Sequence, residues 1–318
     1  MRIPATPRRP GKFARLTALL RASSLHSPSP MRLALPRLLA PLALALAAAL
    51  PATAAAPKPL KVLLVTGGCC HDYVQQKDLL KAGLEQRANV VVEHLHTPDK
   101  STKPPLSSHN NPAYADGYDL VIHDECAAGI DDPAMVRNVL APHLKGVPAV
   151  ALHCAMHSYR VSKEFAQPQA PGSPGGLWFD FLGLQSSRHG PQEPIQVKFT
   201  DSKHPITRGL TGWTTGKEEL YNNVQPPSVY AAHRPLATGF QRTKNKKSGA
   251  TEDNESVVVW TNEYGPKKAR VFCTTLGHNN ETVADARYLD LLARGLLWAA
   301  GKLDDTGRPV AGFGPAGR

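Results

Sequence analysis

The stretch Lys61-Val-Leu-Leu-Val-Thr66, followed by Gly67-Gly68, decides the fold of this chain. A continuous apolar run that ends at a glycine pair is typical of a strand buried on both faces of a parallel sheet. Parallel strands are joined by crossover connections that place helices on the sheet faces. The stretch therefore predicts an α/β protein.

The segments that follow alternate between helical and strand patterns as far as His153. The predicted elements are a helix over Gln76–Gln86, a strand at Val90–Leu95, a loop over 97–117, a strand at Tyr118–Asp124, a helix from Asp131 to about Leu144 and a strand at Val147–His153. Such alternation indicates a parallel sheet with right-handed crossovers.

The second half of the chain has shorter strand patterns and more polar loops. We predict a flexible loop over Gln167–Gly176, a strand at Ile195–Thr200, a surface loop over Thr243–Glu255, a hairpin of Val257–Trp260 with Arg270–Thr275, and a helix over Asp285–Ala300. That helix closes a single domain, predicted over residues 57–303. The Gly- and Pro-rich residues 304–318 are expected to form a flexible tail.

Residues 1–56 are expected to be an N-terminal extension plus a leader. Arg32 and Arg37 form a basic region before the apolar run Leu38–Leu50. Ala52–Ala56 offers small residues for cleavage. This is the plan of a secretory signal peptide, with Met31 as its expected start. The run is shorter than the roughly 20 residues of a transmembrane helix, so we predict a periplasmic or secreted protein with no membrane anchor after cleavage. An organelle-targeting peptide is the alternative.

The positive charge is concentrated in the same leader. The 318-residue chain has a formal net charge of +11, but residues 1–56 hold eight basic side chains and no acidic one, which leaves about +3 for the remainder. A nearly neutral body does not match a protein that binds nucleic acid by neutralising phosphates. No nucleic-acid partner is predicted.

The five cysteines, Cys69, Cys70, Cys126, Cys154 and Cys273, do not form a CxxC pair. A thioredoxin-like or zinc-knuckle site is therefore not indicated. A bridge between the neighbours Cys69 and Cys70 would require a strained ring, so we expect buried free thiols.

Four predicted strand ends each carry a histidine: His71, His123, His153 and His278. Ligands of open parallel sheets bind beyond the carboxyl ends of the strands, so we expect these side chains to meet at one edge. The chain contains no G-x-G-x-x-G, G-x-x-x-x-G-K-[ST] or G-x-S-x-G motif, and no nucleotide cofactor is expected. His153 occupies the nucleophile position of an elbow-like turn, which disfavours a Cys-dependent amidotransferase.

An ordered set of segments resembles the trehalose-utilisation (ThuA-like) family over roughly residues 60–302. The segments are Val147–His157, Trp178–Gly183, His189, His204–Leu210, Glu218–Tyr221, Val257–Trp260, Arg270–Phe272, Gly277-His278 and Leu297–Gly301. The resemblance implies a flavodoxin-like three-layer sandwich with a mostly parallel central sheet, similar to class I glutamine amidotransferases without their catalytic cysteine. Two departures are Glu218 in place of the frequent Asp, and His157 where a carboxylate often stands.

The resemblance also implies a small-molecule carbohydrate as the partner, in particular a disaccharide oxidised to its 3-keto form. The carbon beside the ketone of such a sugar is acidic, so a base and an electrophile for the resulting oxyanion can drive elimination, isomerisation or hydrolysis. We predict a lyase or hydrolase in which Glu219 is the acid/base and His153 and His157 assist catalysis. Trp178, His189, Tyr221 and His123 are predicted to bind substrate. His71, His153 and His278 are predicted to hold a divalent metal, zinc or manganese, or to stabilise the oxyanion directly.

Each of these residues also has a structural interpretation. His153 can hydrogen-bond a tight turn, His278 can cap the terminal helix, and Glu219 can pair with an arginine. His123 can be a core histidine and His71 an ordinary loop residue. A non-catalytic exported sugar-binding module and a metal-dependent hydrolase of another substrate remain alternative functions. The sequence does not predict an oligomeric state.

Overall fold

The computed structural model describes residues 57–245 and 248–315, so the predicted signal peptide lies outside the described part. The strands are β1 (Leu60–Gly68), β2 (Val90–His96), β3 (Leu120–Cys126), β4 (Ala149–Leu152), β5 (His189–Phe199), β6 (Trp213–Tyr221), β7 (Arg234–Lys244), β8 (Thr251–Tyr264) and β9 (Ala269–Thr274). The helices are α1 (Tyr73–Glu85), α2 (Pro133–Leu144), α3 (Leu177–Leu182), α4 (Asn280–Val283) and α5 (Ala286–Ala299).

The nine strands form one sheet in the order β2-β1-β3-β4-β9-β8-β7-β5-β6. The strands from β2 to β9 in this order are parallel, and every pairing from β9 to β6 is antiparallel. The prediction of a mixed α/β sandwich is confirmed, but the expected mostly parallel character holds only for the first half. The short turns before β8 and β9 allow antiparallel pairing only, because a parallel neighbour requires a long crossover.

Helices cover both faces of the parallel half. Leu80 and Leu84 of α1 pack in one apolar cluster with the leucines of α5, whose inward positions recur at helical spacing. On the other face, Val136 and Leu140 of α2 pack with Phe181 of α3 in a second cluster. These layers leave the carboxyl ends of β1, β4 and β9 uncovered by the long helices, and the site lies there.

Several elements differ from the prediction. Much of Thr243–Glu255, expected to be a surface loop, belongs to β7 and β8, and the sequence patterns do not reveal β6, β7 or α3. The outer part of the β7–β8 hairpin is exposed on most of its side chains, so it lacks the apolar alternation that marks a half-buried strand.

The segment expected to form a flexible tail packs on the body in its described part, residues 304–315. Leu303 pairs with Pro309, and Phe313 packs against the larger apolar cluster. The Asn89 side chain donates a hydrogen bond to the Gly312 carbonyl at 2.9 Å. Burial of Phe313 and these backbone bonds hold the segment in place. Among the described residues, no helix combines the length and apolar character needed to cross a bilayer.

Candidate functional site

Three loops at the carboxyl ends of parallel strands bring distant histidines together. His71 follows β1 after Gly67 and Gly68, both with positive φ, and Gly67 approaches Thr97 so closely that a Cβ would clash. His153 begins a short 3₁₀ turn after β4, and His278 follows Gly277 after β9. We call His71, His153 and His278 the open cluster.

One ring nitrogen from each histidine of the open cluster lies within 4.8 Å of those from the other two. His153 Nε2 is 3.3 Å from His278 Nδ1, and the His71 ring stands edge-on to both other rings with centroid distances of 4.8 Å. The sequence-based expectation that these three strand ends meet agrees with this geometry. Whether the cluster holds a metal stays a prediction.

Backbone carbonyls orient two of the three rings. His153 Nδ1 lies 2.6 Å from the Thr275 carbonyl, and His71 Nδ1 lies 3.3 Å from the His278 carbonyl. A carbonyl accepts only, so each Nδ1 carries the proton and each Nε2 is unprotonated with a lone pair, which in His153 faces the Tyr221 hydroxyl at 3.3 Å. This arrangement is typical of histidines that ligate metals.

Glu219 of β6 provides a carboxylate beside the cluster. Its Oε2 lies 3.4 Å from His278 Nδ1, 3.5 Å from His189 Nδ1 and 3.7 Å from His153 Nε2. Burial alone would raise the pKa of Glu219, but the hydrogen bond with His278 and the nearby histidines outweigh it and lower the pKa. The carboxylate is therefore ionised near neutral pH.

Burial keeps two of the histidines neutral. It lowers the pKa of His71 to about 4 and that of His153 well below its usual value, with neighbouring histidines adding to the effect. For His278, burial acts in the same direction, but the bond and charge of Glu219 prevail and raise its pKa. Neutral imidazole is the form that binds metal ions.

Tyr221 and His157 form a buried stack behind the open cluster. Their ring centroids are 4.0 Å apart with an interplanar angle of 2°, and the Tyr221 hydroxyl lies 3.3 Å from His153 Nε2. His157 Nε2 is 2.8 Å from the Ser186 hydroxyl, and burial lowers the pKa of His157. Tyr221 is 1% exposed and His157 is 6% exposed, which corrects the expected contact of Tyr221 with substrate. This burial also places His157 one layer behind the reacting region. His189 is exposed and remains available to a ligand.

Trp178 and His123 lie outside the site, which corrects their expected contact with substrate. Trp178 is fully buried under the second apolar cluster, and its Nε1 donates to the Ala155 carbonyl at 2.7 Å. His123, also fully buried, lies 2.9 Å from Glu125 Oε1 and 3.0 Å from His143 Nε2. We call His123, His143 and Glu125 the closed cluster. A side chain with no exposed surface cannot contact a sugar.

A cavity of about 560 Å³ opens on the outer side of His71 and His278. Its lining is mostly polar and includes His96, Asp99, Lys100, Asn280 and Glu281. The cavity reaches the open cluster through His71 and His278, whereas His153 and Glu219 are not among its lining residues.

Two positioning residues were not predicted. Glu218 Oε1 accepts hydrogen bonds from the backbone N–H groups of Gly277 and His278, at 3.3 and 3.0 Å. Gln76 of α1 donates to the His278 carbonyl at 3.0 Å. One signal for Glu218 was its position next to Glu219. Successive residues of a strand point to opposite faces, so the two carboxylates have different surroundings. Nothing in the local sequence around Gln76 marks it.

Four of the five cysteines lie around the first loop of the site. Cys69 and Cys70 are joined by a disulfide, which corrects the expectation of free thiols there. Cys126, Cys154 and Cys273 are buried free thiols, as expected. Cys154 follows His153 but its sulfur contacts Cys126, 2.8 Å away, and burial and this bond raise its pKa.

The model of the ThuA family, described as "Trehalose utilisation", matches residues 61–299. The chain belongs to the ThuA family. This confirms the resemblance drawn from the ordered segments. No curated protein matches the chain.

Two solved structures show the same fold. A putative ThuA-like protein from Parabacteroides merdae is 22% identical, with 81% of this chain and 97% of that chain covered and a TM-score of 0.55. A putative ThuA-like protein from Bacteroides uniformis is 18% identical, with 80% and 97% covered and a TM-score of 0.53. A putative GMP synthase protein from Thermoplasma acidophilum is more distant, 11% identical, with 77% and 96% covered and a TM-score of 0.45.

Proposed function

We propose that this ThuA-family protein acts on a 3-keto disaccharide or glycoside by proton abstraction at the open cluster. The observation that carries the proposal is the convergence of three histidines from three strand ends, with the ionised Glu219 within 3.4 Å of His278 and 3.7 Å of His153. A base beside a group of potential metal ligands is the arrangement that enolisation of a ketone requires.

The open cluster fits a divalent metal of the zinc or manganese type. His71 and His153 each offer a neutral Nε2 whose ring is held by a carbonyl on the other nitrogen. Three protein ligands leave a coordination position for water or substrate, as in catalytic zinc sites. A bound ion would supply Lewis acidity to an oxygen on which negative charge develops.

Glu219 is proposed to take the proton from the carbon beside the ketone. Its pKa is lowered by His278 and the other histidines despite burial, so it is ready to accept a proton at neutral pH. Holding that proton, it can return it to the substrate or to the leaving glycosidic oxygen. His189, exposed and 3.5 Å from the same carboxylate, is proposed to hydrogen-bond the sugar.

The carbohydrate assignment is supported by the family description and by the cavity. Its polar lining matches the hydroxyl groups of a sugar, and about 560 Å³ lies within the usual range for small-molecule sites. The leader features of residues 1–56 support a proposal of export to the periplasm or medium, where oligosaccharides are encountered.

The test combines metal analysis with turnover by the full chain. Stoichiometric zinc or manganese by elemental analysis, and conversion of 3-keto-trehalose but not of trehalose, are the expected results. Loss of turnover on chelation and its recovery on adding metal would show that turnover depends on the bound metal. Binding of the keto sugar without any conversion would overturn the enzymatic proposal in favour of a sugar-binding module. Turnover that chelation leaves unchanged would remove the metal from the mechanism.

A further inference from the structure

Four of the five cysteines form a continuous row of sulfur atoms next to the open cluster. The Cys69–Cys70 disulfide follows β1, Cys126 ends β3 and Cys154 follows β4. Cys126 Sγ lies 3.3 Å from Cys69 Sγ, and Cys154 Sγ lies 2.8 Å from Cys126 Sγ. A disulfide thus contacts one free thiol, which contacts a second.

We propose that these four cysteines are an internal thiol–disulfide exchange site. In the first step the Cys126 thiolate attacks Cys69 Sγ. The Cys69–Cys126 bond forms, the Cys69–Cys70 bond breaks, and its electron pair leaves on Cys70, which takes up a proton. In the second step the Cys154 thiolate attacks Cys126 Sγ and expels Cys69, which is protonated in turn. One disulfide is exchanged for another, so no external oxidant or reductant is needed.

The surroundings favour attack on Cys69 over attack on Cys70. Cys70 is exposed and lines the cavity, so a thiolate leaving there is solvated, whereas Cys69 is half-buried. The attacking thiol, Cys126, is also more easily ionised. The hydrogen bond from the Cys154 thiol lowers the pKa of Cys126 although burial opposes it, and the Arg160 guanidinium acts in the same direction.

Exchange would change the loop that carries His71. The vicinal disulfide closes a ring directly before His71, and Cys70 has a φ of 83° in the left-handed region, which residues other than glycine rarely adopt. Transfer of the disulfide to Cys126–Cys154 opens that ring. The site would therefore couple thiol chemistry to the first loop of the open cluster, whatever reaction the cluster performs.

The experiment traps the exposed Cys70 thiol in the folded full chain with iodoacetamide, followed by acid quench and peptide mapping. In the unmodified chain we expect alkylated Cys70 together with a Cys126–Cys154 disulfide. Cys154→Ser should stop after the first step and yield alkylated Cys70 with a Cys69–Cys126 disulfide. Cys126→Ser should slow Cys70 labelling by about tenfold or more, because no thiol then contacts Cys69.

Cys273→Ser is the matched control, since Cys273 is buried elsewhere and contacts the Leu182 carbonyl. It should label like the unmodified chain. An intact Cys69–Cys70 disulfide beside unlinked Cys126 after prolonged labelling would overturn the proposal without any variant. Equal labelling rates in the unmodified chain and in folded Cys126→Ser would overturn it as well.

Discussion

The open cluster with the adjacent Glu219 and the closed cluster combine the same kinds of side chain, histidines and a carboxylate, yet they differ in what they can bind. In the open cluster, the Nε2 atoms of His71 and His153 have lone pairs that no backbone donor uses, and a cavity reaches His71 and His278. In the closed cluster, His123 bonds Glu125 and His143 through its two nitrogens. His143 bonds the Val147 carbonyl at 2.7 Å.

The difference arises from where each histidine lies relative to the end of its strand. His123 lies inside β3, paired with Val65 and Ala151, and is covered by Trp178 and Phe181. His153 lies just beyond the end of β4, beside His71 and His278, which line the cavity. A polar side chain within the covered part must find protein partners, because burial without a partner is costly. One beyond the strand end can keep its lone pairs for a ligand.

The largest expected effect concerns Glu219, the carboxylate beside the open cluster. Glu219→Gln should lower kcat/KM for 3-keto-trehalose by about 10²–10⁴-fold, because the amide cannot accept the substrate proton. Bound metal and the unfolding midpoint should change little. The exposed Glu193→Gln on the paired strand is the matched control. Full activity in Glu219→Gln, measured by steady-state kinetics, would show that another group is the base.

The corresponding change in the closed cluster should affect stability instead. Glu125 accepts hydrogen bonds from His123 and from the Tyr159 hydroxyl, at 2.9 and 2.6 Å. Glu125→Gln should lower the free energy of unfolding by about 2–3 kcal/mol, since two buried donors then lose a charged acceptor. Denaturant unfolding measures the loss, and elemental analysis should find unchanged metal content. A loss of metal in this variant would erase the distinction between the clusters.

Acid should weaken the closed cluster through His143. Burial and His123 lower the pKa of His143 to about 3, whereas the unfolded chain protonates near 6.5. The unfolded state then binds the extra proton, so the stability present above pH 6.5 is lost as the pH falls from about 6.5 towards 3. The expected slope from this residue is up to about 1.4 kcal/mol per pH unit.

Unfolding free energies of the wild type and of His143→Gln at several pH values between 7 and 4 check this slope. The variant should show a flatter dependence, because its side chain does not titrate. His189→Gln, which changes an exposed histidine of β5, serves as the control for general histidine loss. Parallel pH curves for the wild type and His143→Gln would contradict the assignment.

The smallest expected effect comes from the layer behind the open cluster. Tyr221→Phe removes the hydroxyl 3.3 Å from His153 Nε2 but keeps the stack on His157. Because this hydroxyl faces the same nitrogen that a metal would use, its removal should raise metal affinity by up to about tenfold, with little change in stability. Competition with a chromophoric chelator measures the affinity. A loss as large as that of His153→Ala would place Tyr221 among the ligands themselves.

Much of the parallel half was predictable because its signals are local. The apolar run that became β1 and the leucine spacing of α5 report burial and helical period within a few neighbouring residues. The hairpin arm of β7 and β8 was not, because its outer residues are polar and exposed, and only cross-strand hydrogen bonds make it a sheet.

Three of the four histidines expected at one edge, His71, His153 and His278, do lie together, since strand ends of one parallel sheet meet there. Glu219 was chosen through the family resemblance and lies beside them. The roles of these residues stay predictions. Trp178 and His123 were misplaced, because strand and helix patterns do not say which positions the next layer covers. The Cys69–Cys70 disulfide was rejected on ring strain, while the fold holds the two sulfurs together.

The sequence by itself determined the elements of the parallel half, their order and the family, because periodicity and the spacing of ordered segments are properties of the chain. Only the tertiary structure decided which histidines keep free lone pairs and which sulfur atoms touch. His71 and the His278 carbonyl meet across 207 residues, and Cys69 and Cys126 meet across 57. Such contacts depend on how layers pack over strand ends, and packing is settled by the burial of the whole apolar core.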